Sequence, residues 1–486
     1  MAVTEDIEPG VLVREGVYGD KVLAVEPGGN EYIPDSERHG RPLDLFWTWM
    51  SPNLEFATIF VGVLPIAVFG GGFWLTALGC ILGTGLGSLT QGILSSWGPR
   101  FGVPQMVHSR AAFGYRGVIL PAGLNTLTAG IGWFIVNSVS GTFALLVLTN
   151  GAISFSIAFT LVVLAQVAVA FVGHNFIHAF EKYALIYLAV VFAIAVVVIF
   201  SKANYGLGFN PKAPVAFGGQ SGAFLLSVFI AFGYAAGWNP YASDYSRYLP
   251  RTVNRRNTGL AAGLGVFVSC AILEVAGAGV ATLGGTNPNP TANFTSPLPS
   301  ILPQLVLVGI LIGAIAANVI NVYSGAMSFL TLGIKLGLHQ RRAISAVGSG
   351  VIGLIIGLAF QANVGPGTKY ENFLLAITYW IAPWLAVVFM DYWMRRGKFH
   401  EIEFFDPRHL PWQGWVSMLA GLLAGIPFWD QSDPLTPGTL PIVGAVPFAH
   451  PEWGDLTFVV SIVVAGVLYF ILKRATGQTA AVSSAA

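Results

Sequence analysis

Residues 237–250 read GWNPYASDYSRYLP, and this stretch interrupts and then ends an apolar run long enough to cross a bilayer. A continuous spanning helix would not carry it. Gly237 costs helix stability, and Pro240 removes a backbone donor and crowds the preceding turn. Trp238 and Asn239 set a flat apolar face and an amide beside the break. At membrane depth, irregular backbone persists only where protein or a cavity satisfies its polar groups. The break therefore marks a candidate binding site.

The rest of the composition agrees with a membrane setting. Of 486 residues, 54% are hydrophobic and 10% charged, which describes an all-α polytopic membrane protein rather than a string of soluble domains. At about 20 apolar residues per span, twelve transmembrane helices are expected, near 44–70, 73–95, 118–148, 153–173, 181–200, 222–241, 258–282, 300–329, 343–360, 370–394, 413–429 and 455–473. A net charge of +1 gives no electrostatic footprint for a nucleic acid. Residues 1–43 hold nine acids and four bases with no apolar core, unlike a signal peptide, and read as a cytosolic N-terminal tail. Residues 474–486 read as a cytosolic C-terminal tail, with the Ala, Ser and Thr of 475–486 expected to be disordered.

Basic residues test the span count independently, because they concentrate on the cytosolic side. With the N-terminus inside, 21 of the 24 Lys and Arg residues fall in the tails and inner loops, leaving Lys202, Lys212 and Lys369 outside. An even number of spans, both termini cytoplasmic, in the plasma (inner) membrane, is the topology that gives this partition. Span 1 carries a second break, where Ser51, Pro52 and Asn53 interrupt an apolar run and Glu55 follows. Interrupted helices five spans apart point to a 5+5 inverted repeat with substrate at the midplane: 44–200 as the first repeat, 222–394 as the second, and the two spans of 413–473 outside it. Gly79, Gly83 and Gly87 put a groove of small residues on one face of span 2, which calls for a close helix partner. The local GTGLGSL follows no strand and is not a phosphate loop.

Several side chains at membrane depth carry chemistry. Trp133 and Asn137 lie one turn apart on span 3, and Asn318 and Asn321 one turn apart on span 8. Each pair is either packing and helix glue or a stacking face with amides for a flat heterocycle, since a buried amide must find a partner. Spans 1, 3, 6 and 8 hold no deep Lys or Arg, which disfavours an anionic ligand. Glu55 and Glu274 are intramembrane acids, of the kind that marks ion pathways or ties helices together. Asp244 and Arg247, with Tyr248, read either as an inner-gate ion pair or as a positive-inside anchor. Arg110 and Arg116 suit an interfacial helix against anionic lipid. Cys80 and Cys270 read as packed thiols. His174 and His178 have metal-ligand spacing, but no third ligand is near, and Asn175, Glu181 and Lys182 read as a solvated loop, so no metal site is expected.

Taken together, GWNPYASDYSRYLP, GPRFGVPQMVHSRAAFGYRG after span 2, GWFIVN in span 3, MSPNLE in span 1 and NVINVYSG in span 8 identify a resemblance, along nearly the whole chain, to the nucleobase:cation symporter-1 family and its purine-cytosine permease branch. The resemblance implies a LeuT-type fold with alternating access. It implies that Trp133 and Trp238 sandwich the base, Asn137 bonds its edge, Gly237 and Ser51 line the pocket, and Asn321, or else Asn318, supplies the span 8 amide. The branch often has Pro before that Asn, where this chain has Ile320.

The same resemblance frames the coupling ion. Sodium-coupled relatives place hydroxyls on span 8 before the binding amide, whereas residues 313–317 here are Gly, Ala, Ile, Ala and Ala. A hard cation needs five or six oxygens, so the co-transported cation is expected to be H+ rather than Na+, carried by Glu55 or Glu274. No other cofactor is called for. The expected function is a symporter importing cytosine or a purine; the alternative is a sodium-coupled transporter of allantoin, a hydantoin, uracil, thiamine or a pyridoxine-like compound. An intramembrane enzyme would need a nucleophile–base pair or metal cluster at depth, and a channel fits two broken helices around one aromatic pocket less well than occlusion does. The lipid-facing surface carries no period from which an oligomeric state could be read.

Overall fold

The structure is a computed structural model, describing residues 7–14, 29–170, 174–213, 218–334, 338–359, 368–431 and 442–476. Helices occupy all twelve expected positions. Span 1 is Pro42–Met50, Ser51–Asn53 and Phe56–Ala67; span 2 is Phe73–Ser95; span 3 is Ile119–Leu148. Spans 4 and 5 are Phe155–Ala170 and His174–Lys202, and span 6 is Gly219–Ala236, Asn239–Tyr241 and Ala242–Ser246. Spans 7 to 10 are Arg255–Ala281, Leu302–Thr331, Leu338–Ala359 and Thr368–Met394; spans 11 and 12 are Gln413–Gly425 and Thr457–Ala475. Eight of these are long and apolar enough to cross a membrane unaided. The bent pair of span 1 makes a ninth, and spans 4, 9 and 11 are shorter apolar helices. A two-stranded antiparallel ribbon, Asp430–Gln431 with Ile442–Val443, sits between spans 11 and 12.

The helices sort into two groups by how they pack. Spans 1, 2, 6 and 7 form a bundle, in which span 2 lies against both 6 and 7, and span 7 runs along span 1. Span 8 is the post of a second group, packed against spans 3, 4, 5 and 9; spans 10, 11 and 12 pack together beside span 6. The glycine groove of span 2 finds the partner expected of it in span 6. A Cβ on Gly79 would lie 2.7 Å from Cβ of Ser227, one on Gly83 2.1 Å from the Val228 carbonyl, and one on Gly87 2.7 Å from Cβ of Ala235. Dispersion across such a backbone-to-backbone approach is what holds helices together when lipid removes the hydrophobic drive.

The two breaks differ. Span 1 bends by 59° because two consecutive residues leave helical geometry: Leu54 has ψ 67° and Glu55 is fully extended. At the span 6 break Gly237, Trp238 and Tyr241 all keep right-handed helical angles, so the chain tightens into a 3-10 turn instead of unwinding. Span 3 carries an irregularity that its apolar pattern does not announce, a π-helical segment at Thr128–Trp133, and such bulges occur often at functional sites.

Two expectations need correction. Arg110 is buried and donates to the Phe404 and Thr331 carbonyls, so it ties the segment after span 2 to the end of span 8 and the segment after span 10, and is not a lipid-facing cation; Arg116 is exposed. Glu181 lies inside span 5 and is fully buried, not in a solvated loop, because the helix begins at His174 and turns Lys182 and Tyr183 outward. The described part of the N-terminal tail is folded against the helices: Tyr32 and Ile33 are fully buried, and the Arg38 guanidinium donates to the Ile33 and Pro99 carbonyls. Residues 477–486, the bulk of the tail expected to be disordered, lie outside the described residues. Packing at span 2 should be measurable in purified protein. Gly83→Val should lower stability by about 1–3 kcal/mol through overpacking. Gly85→Ala, whose Cβ would meet only the Phe267 ring at 3.7 Å, should be neutral or slightly stabilising, and thermal unfolding in detergent checks both.

Candidate functional site

Asn53 joins the two breaks. Its side-chain oxygen accepts from Trp238 Nε1 at 2.9 Å, and its amide nitrogen donates to the Trp49 carbonyl at 2.7 Å. Its own carbonyl accepts from Thr58 Oγ1 at 2.6 Å. A bent helix leaves orphan carbonyls below the bend and orphan N–H groups above it. One asparagine thus satisfies the lower half of span 1 and, through the indole of Trp238, fastens span 6 to it. Asn53 was legible only as part of the break; its role depends on Trp238 arriving from 185 residues away.

The two tryptophans sit among different aromatics. Trp133 meets Tyr234 edge-on at 5.3 Å and Phe373 at 5.1 Å, and its indole packs over Gly237, where a Cβ would come within 3.1–3.2 Å. Trp238 meets Trp49 and Tyr241, each at 5.8 Å between centroids. Gly237 thus lets the indole of span 3 approach the backbone of span 6 closely, which a larger residue would prevent.

The amides separate into tied and untied. Asn137 Nδ2 donates to Asn318 Oδ1 at 3.0 Å, and Asn318 Nδ2 donates to the Phe134 carbonyl at 2.8 Å. Ser138 and Gln166 extend this network to span 4 and the Ala314 carbonyl. Asn318 is therefore engaged in fixing span 8 to span 3. Asn321 is fully buried with neither amide atom hydrogen-bonded, and Ser324, one turn on, has an unpaired hydroxyl as well. Gly325 holds this part of span 8 against Ala129 and Gly130 of the π-helical segment.

The acids occupy distinct settings. Glu55 is fully buried at the entry to the upper half of span 1; Oε1 lies 3.5 Å from the Tyr234 hydroxyl and Oε2 has no partner. Tyr234 also contacts Thr58 and, as noted, Trp133. Span 8 closes on this acid: a Cβ on Gly313 would lie 2.5 Å from the Leu54 carbonyl and 2.7 Å from Glu55 Cβ. Glu274 accepts from Thr84 Oγ1 at 2.6 Å and ties span 7 to span 2. The hydroxyl of Ser51 faces Glu181 of span 5.

At the inner end, Asp244 Oδ1 accepts from the Gln105 backbone at 2.9 Å. Arg247 is buried, donating to the Gly29 carbonyl at 2.7 Å and the Tyr323 hydroxyl at 3.2 Å. Tyr323 is 3.4 Å from Tyr248, which accepts from Arg14, itself paired with Glu37. Arg247 is thus not a membrane anchor but the centre of a layer joining span 6, span 8 and the N-terminal segment. Its burial is offset by phenols and a carbonyl remote in sequence, which the local charge pattern cannot reveal.

His108, in the loop after span 2, is enclosed by Trp97, Phe101, Phe399 and Phe404; burial pushes its imidazole down to about 3, so it stays neutral. His178 lies within span 5, with Nδ1 2.9 Å from Thr48 Oγ1. The His174 side chain lies outside the described residues. Cys80 and Cys270 are buried free thiols, and no group of three metal-ligating side chains occurs among the described residues.

A family model described as permease for cytosine/purines, uracil, thiamine, allantoin matches residues 32–448. YxlA of Bacillus subtilis, which carries a provisional purine-cytosine permease name, is 30% identical over 476 residues, 93% of this chain and 96% of its own. The purine-cytosine permease fcyB of Emericella nidulans is 26% identical over 484 residues, covering 94% and 92%. Among solved structures, Mhp1, a nucleobase-cation-symport-1 family transporter in a closed conformation with bromovinylhydantoin bound, superposes with TM-score 0.71. That match has 19% identity and covers 94% of this chain and 96% of that one; at this identity the likeness speaks for the fold, which is the LeuT type.

The link between the breaks is directly measurable. Trp238→Phe leaves Asn53 Oδ1 buried without its donor and should cost about 1–3 kcal/mol of stability. In a double-mutant cycle with Asn53→Ala, the coupling should be about 0.5–3 kcal/mol, read from thermal or denaturant unfolding of the purified variants.

Proposed function

We propose that this chain, which belongs to the family of permeases for cytosine and purines, uracil, thiamine and allantoin, imports cytosine or a purine base by alternating access, driven by protons. It is a transporter and not an enzyme. The chain runs multi-pass through the membrane, and the basic-residue partition supports a plasma-membrane orientation with both termini on the cytosolic side. The observation that carries the reading is Asn321: a fully buried amide with both its donor and acceptor free. Such a group is costly unless a ligand completes it. A nucleobase edge offers a donor and an acceptor side by side, which one amide matches in a single plane.

The base would lie between Trp133 and Trp238, since stacking on each aromatic face contributes about 1–3 kcal/mol. Asn137 and Asn321 read its edge, and Gly237, under the Trp133 indole, lines the pocket beside span 6. Ser51 lines the lower end. Asn318 stays with span 3 and positions Asn137. The names of the two relatives, both purine-cytosine permeases, support cytosine or a purine over allantoin, uracil, thiamine or a hydantoin.

Proton coupling rests on Glu55. An ionised carboxyl only accepts hydrogen bonds, whereas a protonated one also donates, so a proton gained or lost there changes what Tyr234 can offer and, through Tyr234, where Trp133 packs. Gly313 leaves no space for a hydroxyl ligand where span 8 meets the span 1 break, which supports a proton over a sodium ion. Glu274 is a tie between spans 2 and 7. Asp244 and Arg247 serve the inner gate, with the layer of Tyr248, Tyr323, Arg14 and Glu37 closing the cytosolic end.

Uptake into proteoliposomes, with sodium and pH gradients imposed independently, tests the proposal. Labelled cytosine or hypoxanthine should accumulate with an inward proton gradient and not with sodium alone. Asn321→Ala should weaken apparent affinity about tenfold or more, the equivalent of about 1.4 kcal/mol. Accumulation driven by sodium alone would overturn the coupling, and failure to move either base would shift the substrate to the family's other heterocycles. Glu55→Gln should remove the dependence of uptake on pH; uptake with unaltered pH dependence would exclude Glu55 as the carrier.

A further inference from the structure

Span 5 carries an acid that the transport reading leaves unused. Glu181 is fully buried, and neither carboxyl oxygen has a hydrogen-bond partner. Facing it is the hydroxyl of Ser51, the first residue of the 3-10 turn at the span 1 break, also fully buried and unpaired. An intramembrane acid is retained against its desolvation cost chiefly where it moves ions or is tied to a partner. Glu181 has no tie.

The surroundings lead from this acid toward the cytosolic end. His178 precedes Glu181 by three residues and shares its helix face. It is partly exposed, and its Nδ1 lies 2.9 Å from Thr48 Oγ1. Thr48 precedes Ser51 by three residues on span 1. Two groups of span 1, Ser51 and Thr48, therefore face two of span 5, Glu181 and His178, as successive rungs below the break. Glu55, at the other end of the same break, is turned to Tyr234.

The charged groups nearby leave Glu181 without a competing partner. From span 1 and the segment before it, Asp44 and His39 act on His178, as does Lys182 of span 5 itself. Span 8 has Tyr323 as its one titratable residue, and that is bonded to Arg247. On span 7 Glu274 is held by Thr84, and Arg255 and Arg256 at its start are exposed. Among the described residues no charged side chain acts on Glu181.

We propose that Glu181 is a second proton-binding site, on the cytosolic side of the span 1 break. It receives the proton released by Glu55 and passes it to the cytosol along His178 and Thr48. Proton number balances at each step: Glu55 gives one proton to water entering at the break, the Ser51 hydroxyl accepts a proton from that water while giving its own to Glu181, and Glu181 returns to carboxylate when water at the His178 end takes the proton. The inference rests on the proton-coupled reading above.

The test separates coupled uptake from exchange. In proteoliposomes, Glu181→Gln should exchange labelled for unlabelled base across the membrane within about twofold of the wild-type rate, while proton-driven accumulation falls at least tenfold. A proton-induced carboxyl C=O band in difference infrared spectra of the purified protein should be missing in this variant. Unchanged accumulation with an unchanged infrared difference would overturn the proposal and make Glu181 a structural acid. If Glu181→Gln does not fold, Glu181→Asp, which keeps the carboxyl and withdraws it from Ser51, should shift the pH midpoint of accumulation; an unshifted midpoint overturns the proposal. Failure of the wild type to accumulate base under a proton gradient would instead remove the coupled-transport reading, and this site with it.

Discussion

A polypeptide bent at membrane depth must find partners for the backbone groups the bend exposes, and in this protein that demand falls on Asn53. With its side-chain nitrogen on the Trp49 carbonyl, its side-chain oxygen on Trp238 and its own carbonyl on Thr58, one residue meets three obligations. The 59° bend of span 1 is tolerable because of it. Trp238 is held in turn, so the span 6 break is positioned by the span 1 break and not by its own sequence alone.

From that junction the site follows. Holding span 6 against span 1 brings Gly237 under the indole of Trp133, and Trp133 touches Tyr234, which reaches Glu55. Stacking face, phenol and acid are consecutive contacts. On the proposed function, a base entering between the tryptophans and a proton arriving at Glu55 would act on the same tyrosine, so that each would change the free energy of the other's binding, which is what coupling requires. The scaffold contributes a second kind of constraint. The Asn137–Asn318–Ser138–Gln166 network locks spans 3, 4 and 8 into one body, leaving Asn321 on the same helix with an open amide.

The sequence patterns that act locally were the readable ones. Apolar run length located all twelve helices, Pro and Gly located both breaks, and the four-residue glycine period of span 2 announced its close partner. What could not be read depends on which groups meet after packing. Glu181 sits beside Lys182 and two histidines, a loop-like composition, and only the rotation of span 5 against the span 1 break shows it facing inward. Arg247 looks like a surface cation until Gly29 and Tyr323, far away in sequence, enclose it. Asn321 and Asn318 are equivalent by spacing, and only the bonds that span 3 makes to one of them leave the other free. The span 6 break reads as an unwound turn because Gly and Pro each permit one, yet Gly237, Trp238 and Tyr241 keep helical angles and the chain forms a 3-10 turn.

A structure of the protein with hypoxanthine or cytosine bound in lipid would test the central claim most directly. The account predicts the ring lying between Trp133 and Trp238 with its polar edge at Asn137 and Asn321, and the Asn53–Trp238 bond still made. A base bound away from both tryptophans, or bound there with Asn321 still unpaired, would contradict it.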